Sequence, residues 1–412
     1  MKKKLIALPG IFNSPFFSNE LPTIQEKFDE VYVISYPSEK NICNCMAKEY
    51  GIRYEFVNYK ISIDIIKKMY YWFSSSHVQE ELKKTGSISI QKLKRIIYML
   101  YYGLFSMSVY GSIKNEIEDY DGEVYLYAFW LSRPSYAIAL FAGHPKVKKI
   151  FARAHRYDLY EYRNSVKYLP FRTYIYKKLN FISFISHHGE CYYRGQIDTK
   201  GLKEKVAESK LSYLGTYNKK NLKKLVVGKE KIVIVSCSNI IPVKRIDLII
   251  EILASITSCE VKWIHYGTGK LENQVKKCAE HQLKAESYCF KGYIENQKLL
   301  DDYILEDADF FINMSDSEGL PVSFMEAMSV GIPVIARDVG GNSEIVENGC
   351  GLLLDKNKDI GEIKKIVEEF VKIRVNNVEK YKEYSNKAIE KWRKNFSAEV
   401  NYNKFFSAVV QE

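Results

Sequence analysis

Two glutamates in the segment SDSEGLPVSFMEAMSVGIPVIA have a spacing that suits chemistry at one site. Glu318 and Glu326 stand eight positions apart, with Gly-Leu-Pro directly after the first. Two carboxylates at one site can form an acid–base pair, or each can accept hydrogen bonds from the vicinal hydroxyls of a ribose or hexose. Two plainer interpretations stay open: Glu318 as a charge at a helix N-terminus, and Glu326 as a solvated helix residue.

The elements around these glutamates place them beside a ligand-binding edge. Residues 309–313 are apolar and strand-like, so Glu318 follows the C-terminal end of a strand, where open parallel sheets bind ligands. Pro321 suits the first turn of the helix that comes next. The amides near Gly319 and Leu320 then lie at a helix N-terminus, which favours a bound anion.

Short apolar runs alternate with longer helical patterns along the chain, which predicts an α/β fold with parallel sheets. The predicted strands are KLIALPG, EVYVISY, EVYLYAF, KKIFARAH and FISFIS in the first half, and KIVIVSC, EVKWIHYG, ESYCFKGY, DFFINMS and IPVIARD in the second. A polar, lysine-rich stretch separates the sets, so we predict one domain at 1–215 and a second at 216–390. Aromatic residues at helical spacing predict that 391–412 is a helix that returns to the first domain.

The segment SEGLPVSFMEAMSVGIPVIARDVGGNSEIVENGCGLLL resembles the donor-site signature of the retaining family-4 glycosyltransferases with the GT-B fold. Three upstream segments, CSNIIPVKRIDLII, HYGTGKLE and FKGYI, resemble the same family in the expected order. The resemblance spans roughly residues 232–355. It implies two Rossmann-like domains that face each other across a cleft, with acceptor binding in the first domain and nucleotide-sugar binding in the second.

The resemblance also implies roles for the matched residues at the sugar end of the donor. Glu318 would hold the hydroxyls of the transferred sugar, and Glu326 would hold the ribose. Gly267 and Gly269 would let the backbone approach a ligand, since glycine has no side chain in the way. The two glutamates are thus expected to be two contacts on one donor rather than an acid–base pair.

At the phosphate end, the resemblance implies that Lys244 binds the donor diphosphate, together with the amides of Gly319 and Leu320. One position departs from the family pattern. Many members carry an arginine five residues before that lysine, where this chain has Asn239. Arg245 follows Lys244 directly and is the candidate substitute, because two cations bind a diphosphate better than one. A surface position for Arg245 on the next helix is the alternative.

In the first domain, FARAHRYDLYEYR resembles a segment of family members that build capsule, exopolysaccharide or O-antigen chains. The resemblance implies that His155 follows a strand and contacts the donor sugar, with Arg153 and Asp158 flanking it. Pro9 and Gly10, after the first strand, resemble the first turn that lines the cleft, although the usual second glycine is missing. These are the candidate acceptor or cleft residues.

We expect neither a metal nor a cofactor beside the nucleotide-sugar substrate. The eight cysteines are scattered and form no CxxC pair, so neither a zinc site nor a disulfide scaffold is predicted. Asp307 and Asp309 have the spacing of a DxD metal motif, but they lead into a buried strand. The charge of the leaving group is therefore assigned to cationic side chains and helix amides.

The chain is basic, with a net charge of +11, which fits phosphate-bearing substrates or anionic lipid, or reflects only a lysine-rich composition. Residues 60–118 contain two aromatic, lysine-edged helical patterns. Such helices can lie in a membrane interface, or can pack on their own domain with a solvated lysine edge. No apolar run reaches the ~18–20 residues that cross a bilayer. We expect a cytoplasmic protein with peripheral contact to the inner face of the membrane, and no nucleic-acid partner.

The function implied is transfer of a sugar from a nucleotide diphosphate sugar to a hydroxyl of a glycan or lipid-linked acceptor, with retention of anomeric configuration. Two alternatives stay open. A nucleotide-sugar epimerase would bind the same donor and need no acceptor. A catalytically silent glycosyltransferase-like subunit would stabilise a partner, which Asn239 in place of an arginine would suit. A Rossmann dehydrogenase is disfavoured because no GxGxxG follows an early strand.

Overall fold

The computed structural model describes residues 1–59, 62–86, 89–202, 206–218, 228–347 and 349–411. Contacts divide the chain into two compact units, Met1–Ser212 with Tyr402–Glu412, and Tyr213–Asn401. The division after Ser212 lies close to the predicted boundary after residue 215. The assignment of acceptor binding to the first unit and donor binding to the second remains a prediction.

The described part of the first unit contains a seven-stranded parallel sheet in the order β3-β2-β1-β4-β5-β6-β7. Its strands are β1 Lys3–Gly10, β2 Glu30–Ser35, β3 Arg53–Phe56, β4 Glu123–Ala128, β5 Val147–Ala154, β6 Phe181–Phe184 and β7 Glu208–Leu211. The five strands predicted in this half are all present. The two others, β3 and β7, are the edges of the sheet.

Helices cover this sheet, as the long connections between parallel strands require. They are α1 Pro15–Ser18, α2 Leu21–Lys27, α3 Lys40–Glu49, α4 Ile63–Ser74, α5 Ser76–Lys84, α6 Ile90–Glu118, α7 Arg133–Ala139, α8 Arg156–Leu159, α9 Arg172–Lys178 and α10 His187–Thr199. The central strands are hydrophobic on both faces and buried, as in β4, where Val124 to Ala128 have at most 1% exposure. Burial of these side chains drives the folding of the unit.

The described part of the second unit contains a six-stranded parallel sheet in the order β10-β9-β8-β11-β12-β13. Its strands are β8 Lys231–Cys237, β9 Glu260–Tyr266, β10 Tyr288–Gly292, β11 Phe310–Asn313, β12 Val334–Arg337 and β13 Gly351–Leu354. Its helices are α11 Ile246–Ala254, α12 Glu272–Gln282, α13 Asn296–Leu305, α14 Val322–Ser329, α15 Asn342–Ile345, α16 Ile360–Asn376 and α17 Val378–Asn395. The strand order reverses between β8 and β11, and a doubly wound sheet binds ligands at that point.

The last helix, α18, spans Ala398–Gln411 and packs on the first unit, which confirms that part of the predicted fold. It begins later than the predicted residue 391, because residues up to Asn395 belong to α17. Phe406 contacts the rings of Phe28 and Tyr127, with centroid separations of 6.3 and 6.0 Å. Lys149 Nζ donates to the carbonyl of Val409 at 2.8 Å. The helix is held both by aromatic packing and by an otherwise unsatisfied terminal carbonyl.

Helices α4 and the first part of α6 expose large apolar side chains, and we call this surface the α4–α6 apolar face. It consists of Ile63, Ile66, Tyr70, Tyr71 and Phe73 on α4 and Ile90, Leu93, Ile97, Leu100 and Tyr101 on α6. Tyr70, Tyr71 and Ile90 are each at least 70% exposed. The predicted aromatic, lysine-edged helices are present, with an exposed face that a helix pair packed wholly in the core would not have.

Helix α6 also corrects one expectation from the sequence. Among the described helices it alone is long and apolar enough to cross a membrane, with a mean hydropathy of 1.3 over its most apolar window. Since 44% of that window is buried inside the protein, packing in the core accounts for much of this composition. Met99, Tyr102 and Phe105 belong to the core cluster of the first unit.

Candidate donor-binding site

The matched residues of the second unit gather at the carboxyl edge of its sheet. Lys244 follows β8 in a short 3₁₀ turn, Pro242–Lys244, and Glu318 follows β11. These two strands are neighbours at the point where the strand order reverses. The two residues that the sequence assigned to one donor therefore come from the loops on either side of the expected ligand position.

Lys244 and Glu318 form a direct ion pair. Lys244 Nζ donates to Glu318 Oε1 at 2.6 Å, and Asn313 Nδ2 donates to the same oxygen at 3.3 Å. The Glu318 side chain is 7% exposed and that of Lys244 is 21% exposed. The carboxylate is thus held from two sides, while part of the ammonium group stays accessible to a ligand.

The turn Val339-Gly340-Gly341 after β12 fixes the loop that carries Glu318. A Cβ on Gly340 would lie 1.9 Å from the carbonyl oxygen of Glu318, and the φ angle of Gly340 is +59°. The amide of Gly341 donates to the carbonyl of Gly319 at 2.9 Å. Only glycine permits this close approach, so the Val339-Gly340-Gly341 turn positions the loop that carries Glu318.

Helix α14 begins directly after this loop, with Pro321 at its N-cap. Within the described residues, the amides of Gly319 and Leu320 donate no hydrogen bond to the protein. They lie beside the Lys244–Glu318 pair and at the positive end of the helix dipole. Two free donors and one accessible cation at a helix start are suited to bind a phosphate group.

Glu326 lies on α14, where burial raises the pKa of its carboxyl from 4.5 to about 7. Its electrostatic neighbours are Cys237, at the end of β8, and Tyr303, on α13. The hydroxyl of Tyr303 is buried beside the Cys237 thiol, which is a weak hydrogen-bonding partner. Glu326 thus has no cationic partner among these neighbours, and a ligand that donates hydroxyl groups can hydrogen-bond to its carboxyl.

Gly267 and Gly269 hold two loops of the protein together. A Cβ on Gly267 would lie 2.0 Å from the carbonyl oxygen of Ser238, and one on Gly269 would lie 2.4 Å from that of Ile240. The nearest neighbour of each glycine is thus the loop that leads from β8 to Lys244. These contacts support a positioning role for the two glycines. Their approach to a ligand stays a prediction.

Arg245, the candidate substitute for a missing arginine, is occupied by carboxylates. Its guanidinium donates to Asp247 at 3.0 Å and lies 3.5 Å from Asp316. Asp316 also accepts from Arg337 at 2.5 Å. Asn239 is exposed. To bind a diphosphate, Arg245 has to leave Asp247 and Asp316 or share them.

In the first unit, His155 directly follows β5 and is the N-cap residue of α8. Its ring lies against Trp130 and Phe129, with centroid separations of 4.3 and 4.8 Å. Burial lowers the pKa of His155, which favours the neutral form of the ring. Asp158 Oδ2 lies 3.9 Å from Nδ1, and the ring takes part in a capping box with Asp158 at the start of α8. The ring thus faces Asp158 and two aromatic side chains, and its contact with a donor sugar stays a prediction.

Asp158 organises the backbone around His155. One carboxylate oxygen accepts from the amide of His155 at 2.6 Å, and the other accepts from the amide of Leu131 at 2.5 Å. The side chain is 1% exposed. Asp158 thereby ties the loop after β4 to the end of β5, which supports a positioning role.

Arg153 is placed in the interior of the first unit. It has no exposed surface and forms an ion pair at 2.7 Å with Glu20, which is also fully buried. Its guanidinium lies 4.4 Å from the ring centroid of Phe405 on α18. Burial leaves Arg153 no surface with which to contact an acceptor, and it favours a structural role in joining α18 to the sheet.

Pro9 and Gly10 end β1, next to the point where the order of the first sheet reverses. Gly10 has a φ angle of +84°, and a Cβ there would lie 3.2 Å from the indole of Trp130. The same indole contacts the ring of His155. The first turn and His155 therefore share one neighbour, which the sequence did not single out.

Several residues of the site escaped the sequence analysis. They are Asn313, Cys237 and Tyr303 in the second unit and Trp130 in the first. Asn313 and Cys237 are the last residues of strands, and this position at the ligand-binding edge is a signal that could have found them. The DxD-like residues Asp307 and Asp309 are paired with Lys229, each at 2.7 Å, so they hold the protein's own charges together.

Residues 218–391 match the sequence model of the family described as glycosyl transferases group 1. The match lies within the second unit and covers less than half of the chain. The Lys244 loop, the Glu318–Glu326 segment and the Gly340 turn all fall inside the matched region.

Two curated proteins that resemble part of the chain are named for bacterial surface polymers. The chain is 31% identical over 176 residues to poly(ribitol-phosphate) α-N-acetylglucosaminyltransferase of Staphylococcus aureus, covering 39% of this chain and 34% of the relative. It is 36% identical over 112 residues to the O-antigen biosynthesis glycosyltransferase WbnH of Escherichia coli, covering 26% and 30%. The chain thus spans about a third of the length of each relative.

A solved structure resembles the chain over its full length. A mutant of S. aureus TarM, in complex with fondaparinux, α-GlcNAc-glycerol and UDP, superimposes with a TM-score of 0.66 at 16% identity, and the match covers 100% of both chains. At this identity the likeness shows the fold alone. It confirms the predicted α/β fold with two Rossmann-like units of the GT-B type.

Proposed function

We propose that this protein transfers a sugar from a nucleotide diphosphate sugar to a hydroxyl of a glycan or lipid-linked acceptor in the synthesis of a bacterial surface polysaccharide. The observation that carries the proposal is the Lys244–Glu318 ion pair at the start of α14, where the two strands at the sheet's reversal point end. The surface-polymer relatives and the UDP complex of a structural neighbour support the same substrate class.

The difficult part of this reaction is the negative charge that develops on the leaving nucleotide diphosphate. In the proposal, Lys244 and the free amides of Gly319 and Leu320 stabilise that charge, without a metal ion. Groups that are already oriented cost no reorganisation when the bond breaks, and removing one such donor costs about 10²–10³ in rate. Arg245 contributes only after release from Asp247 and Asp316.

The two glutamates and His155 are assigned to hydroxyl groups. Glu318 holds hydroxyls of the transferred sugar, and Glu326, with Tyr303 nearby, holds the ribose. His155 contacts the transferred sugar through a ring nitrogen, with Asp158 holding the ring in place. Glu318 already has two donors on it, so it is placed to accept rather than to attack. We therefore propose front-face attack by the acceptor hydroxyl, which retains anomeric configuration, without a covalent sugar–enzyme intermediate.

The test is to measure donor hydrolysis and sugar transfer for Lys244→Ala and Glu326→Ala. Lys382→Ala is the matched control, because Lys382 is 55% exposed on α17 in the same unit. We expect both site variants to lose at least about 10²-fold in transfer rate, while the control keeps the wild-type rate. Wild-type rates in both site variants would refute the assignment.

A catalytically silent subunit is the second candidate, because a specific observation favours it. The chain has Asn239 where many members of the resembled family carry an arginine, and Arg245 is paired with Asp247 and Asp316. Calorimetric titration with nucleoside diphosphates separates the two proposals, since a silent subunit binds none. The epimerase alternative is tested in the transfer assay. An epimerase would continue to turn over the nucleotide sugar without an acceptor.

We further propose that the protein works at the inner face of the cytoplasmic membrane. Three lysines neighbour residues of the α4–α6 apolar face in the sequence: Lys67 follows Ile66 on α4, and Lys92 and Lys94 flank Leu93 on α6. None of the three forms an ion pair with a described residue. Apolar insertion and attraction to anionic lipid add to each other in such helices. Flotation with anionic vesicles should show binding that weakens with salt, and no binding at low salt would reject this location.

A further inference from the structure

A cavity of about 520 Å³ lies in the first unit between α6 and the segment that follows α8. From α6 it is lined by Lys94, Ile97 and Tyr98, and from the segment after His155 by Tyr157, Arg163, Asn164, Ser165 and Val166. None of these residues was assigned a role above except Lys94. The cavity is large enough for a sugar-phosphate head group.

Residues outside the lining help to fix the walls of the cavity. Gln91 Nε2 donates to the carbonyl of Val166 at 2.8 Å, which ties the start of α6 to the opposite wall. The guanidinium of Arg95 lies 5.5 Å from the ring centroid of Tyr168. The cavity is therefore a formed feature of the folded unit.

The lining combines cations with aromatic and amide groups. Neither Lys94 nor Arg163 forms an ion pair with any residue in the described part of the chain. Tyr157 is 67% exposed, so its ring can stack on the face of a sugar. Burial raises the pKa of the Tyr98 hydroxyl, whose neighbours are Tyr157 and Asn164. Two unpaired cations bind a phosphate, and the tyrosines and amide suit sugar hydroxyls.

The position of the cavity connects it with lipid and with the reaction. Ile97 lines the cavity and also belongs to the α4–α6 apolar face, so the two surfaces are continuous. On the other side, Tyr157 stands two residues after His155 on α8. A ligand whose polar head fills the cavity could thus have its hydrocarbon part beside α6 and its sugar near His155.

We propose that this cavity binds the phosphate-bearing head of a lipid-linked acceptor, while the α4–α6 apolar face rests on the membrane that holds its lipid. The inference rests on the proposed transferase function and names the acceptor class for it. The chemistry recognised is a phosphate ester that carries sugar on one side and a hydrocarbon chain on the other.

The test compares two kinds of phosphatidylcholine vesicle by flotation, one with undecaprenyl phosphate and one with phosphatidylglycerol at equal surface charge. The cavity variant is Lys94→Gln with Arg163→Gln. The matched control, Lys67→Gln with Lys92→Gln, removes the same charge from α4 and α6 outside the cavity lining. Circular dichroism and thermal unfolding check that each variant is folded, and the single variants replace the pair if it is not.

We expect the wild type to prefer undecaprenyl phosphate, and the cavity variant to lose that preference by about tenfold or more, since each charged hydrogen bond to phosphate contributes. The control should weaken binding to both vesicles equally and keep the preference. Equal loss on both vesicles in the cavity variant, or no preference in the wild type, would overturn the proposal.

Soluble glucose 1-phosphate tests the source of the phosphate. At a concentration equal to that of the lipid it should leave the protein on the vesicles, because it lacks the hydrocarbon contact. Release at that concentration would show that a free phosphate ester fills the cavity and would overturn the lipid-linked assignment. Flotation needs no nucleotide sugar, so a chain without transferase activity would fail the donor assay and still give a clear result here.

Discussion

Lys244 Nζ lies 2.6 Å from Glu318 Oε1, and this pair joins the loops after β8 and β11. Before any donor binds, the cation assigned to the diphosphate is thus neutralised by the carboxylate assigned to the sugar. Donor binding has to supply a second anion to the same ammonium group. The pair sets the position of both groups and also opposes binding of the phosphate through Glu318's charge.

The first prediction separates these two effects. Glu318→Gln removes the opposing charge, so we expect affinity for the nucleoside diphosphate to stay equal or rise, while sugar transfer falls by at least about 10²-fold. Lys244→Met should lower both affinity and transfer. Calorimetry with the diphosphate and a transfer assay measure the two quantities. A loss of diphosphate affinity in Glu318→Gln as large as that in Lys244→Met would contradict the arrangement.

The second prediction concerns the turn that supports Glu318. Gly340→Ala places a methyl group against the carbonyl oxygen of Glu318, where a Cβ would lie 1.9 Å away, so the loop has to move. Gly51→Ala is the matched control, because Gly51 also has a positive φ, +62°, but no atom within 4 Å of its Cβ position. The control should cost only the backbone strain of about 1–2 kcal/mol.

Thermal unfolding and transfer rate check this comparison. Gly340→Ala should lower the melting temperature more than Gly51→Ala does, and it alone should abolish transfer. If both variants behave alike, the close approach of the two loops does not determine the position of Glu318.

The third prediction follows from the pKa of Glu326, which burial raises from 4.5 to about 7. A raised carboxyl pKa means that the folded state holds the proton more tightly than the unfolded state. Stability from this group is therefore fully present below pH 4.5 and is lost as pH rises through about 7. Glu326→Gln should gain stability relative to wild type across that window, by up to about 3 kcal/mol above it.

Urea unfolding at a series of pH values, without nucleotide, measures this difference. Glu379→Gln is the control, because Glu379 is 84% exposed on α17. Its difference from wild type should be small and nearly constant with pH. A Glu326→Gln difference that is equally flat would show that the carboxyl is solvated, as the plainer interpretation of the sequence holds.

The fourth prediction distinguishes structure from ligand contact at Arg153. Since Arg153 and Glu20 are both fully buried, Arg153→Met leaves an unpaired buried carboxylate and should destabilise the protein by about 3–5 kcal/mol. The double variant Arg153→Met with Glu20→Gln removes both charges and should recover much of that loss. Melting temperatures test this, and recovery of transfer in the double variant would follow only if Arg153 makes no essential acceptor contact.

The strands that the sequence did not predict lie at the edges of the two sheets. All ten predicted strands are present, and the three that were missed, β3, β7 and β13, lie at sheet edges. An edge strand is covered on fewer sides, so its sequence needs fewer apolar residues, as in RYEF of β3 and ESKL of β7. The apolar GLLL of β13 is too short a run to distinguish a strand by period.

The candidate site was also predicted only in part. The spacing around Glu318 and the resemblance to a family motif predicted that Glu318 and Lys244 lie at one site, and the structure pairs them directly. The burial of Arg153 could not be predicted from the sequence, because its ion-pair partner, Glu20, lies 133 residues away in the chain. The glycines at 267 and 340 were expected near a ligand, yet each is required by another loop of the protein. Such contacts depend on how distant loops meet.

The most direct measurement of the central claim is a thermal-shift screen of the wild type and Lys244→Ala with a panel of nucleoside diphosphates and their sugars. A ligand that binds only the folded state raises the melting temperature, by an amount that grows with its concentration. We predict that at least one nucleotide sugar stabilises the wild type and that Lys244→Ala loses most of this effect. No shift with any member of the panel, or an undiminished shift in Lys244→Ala, would contradict the account.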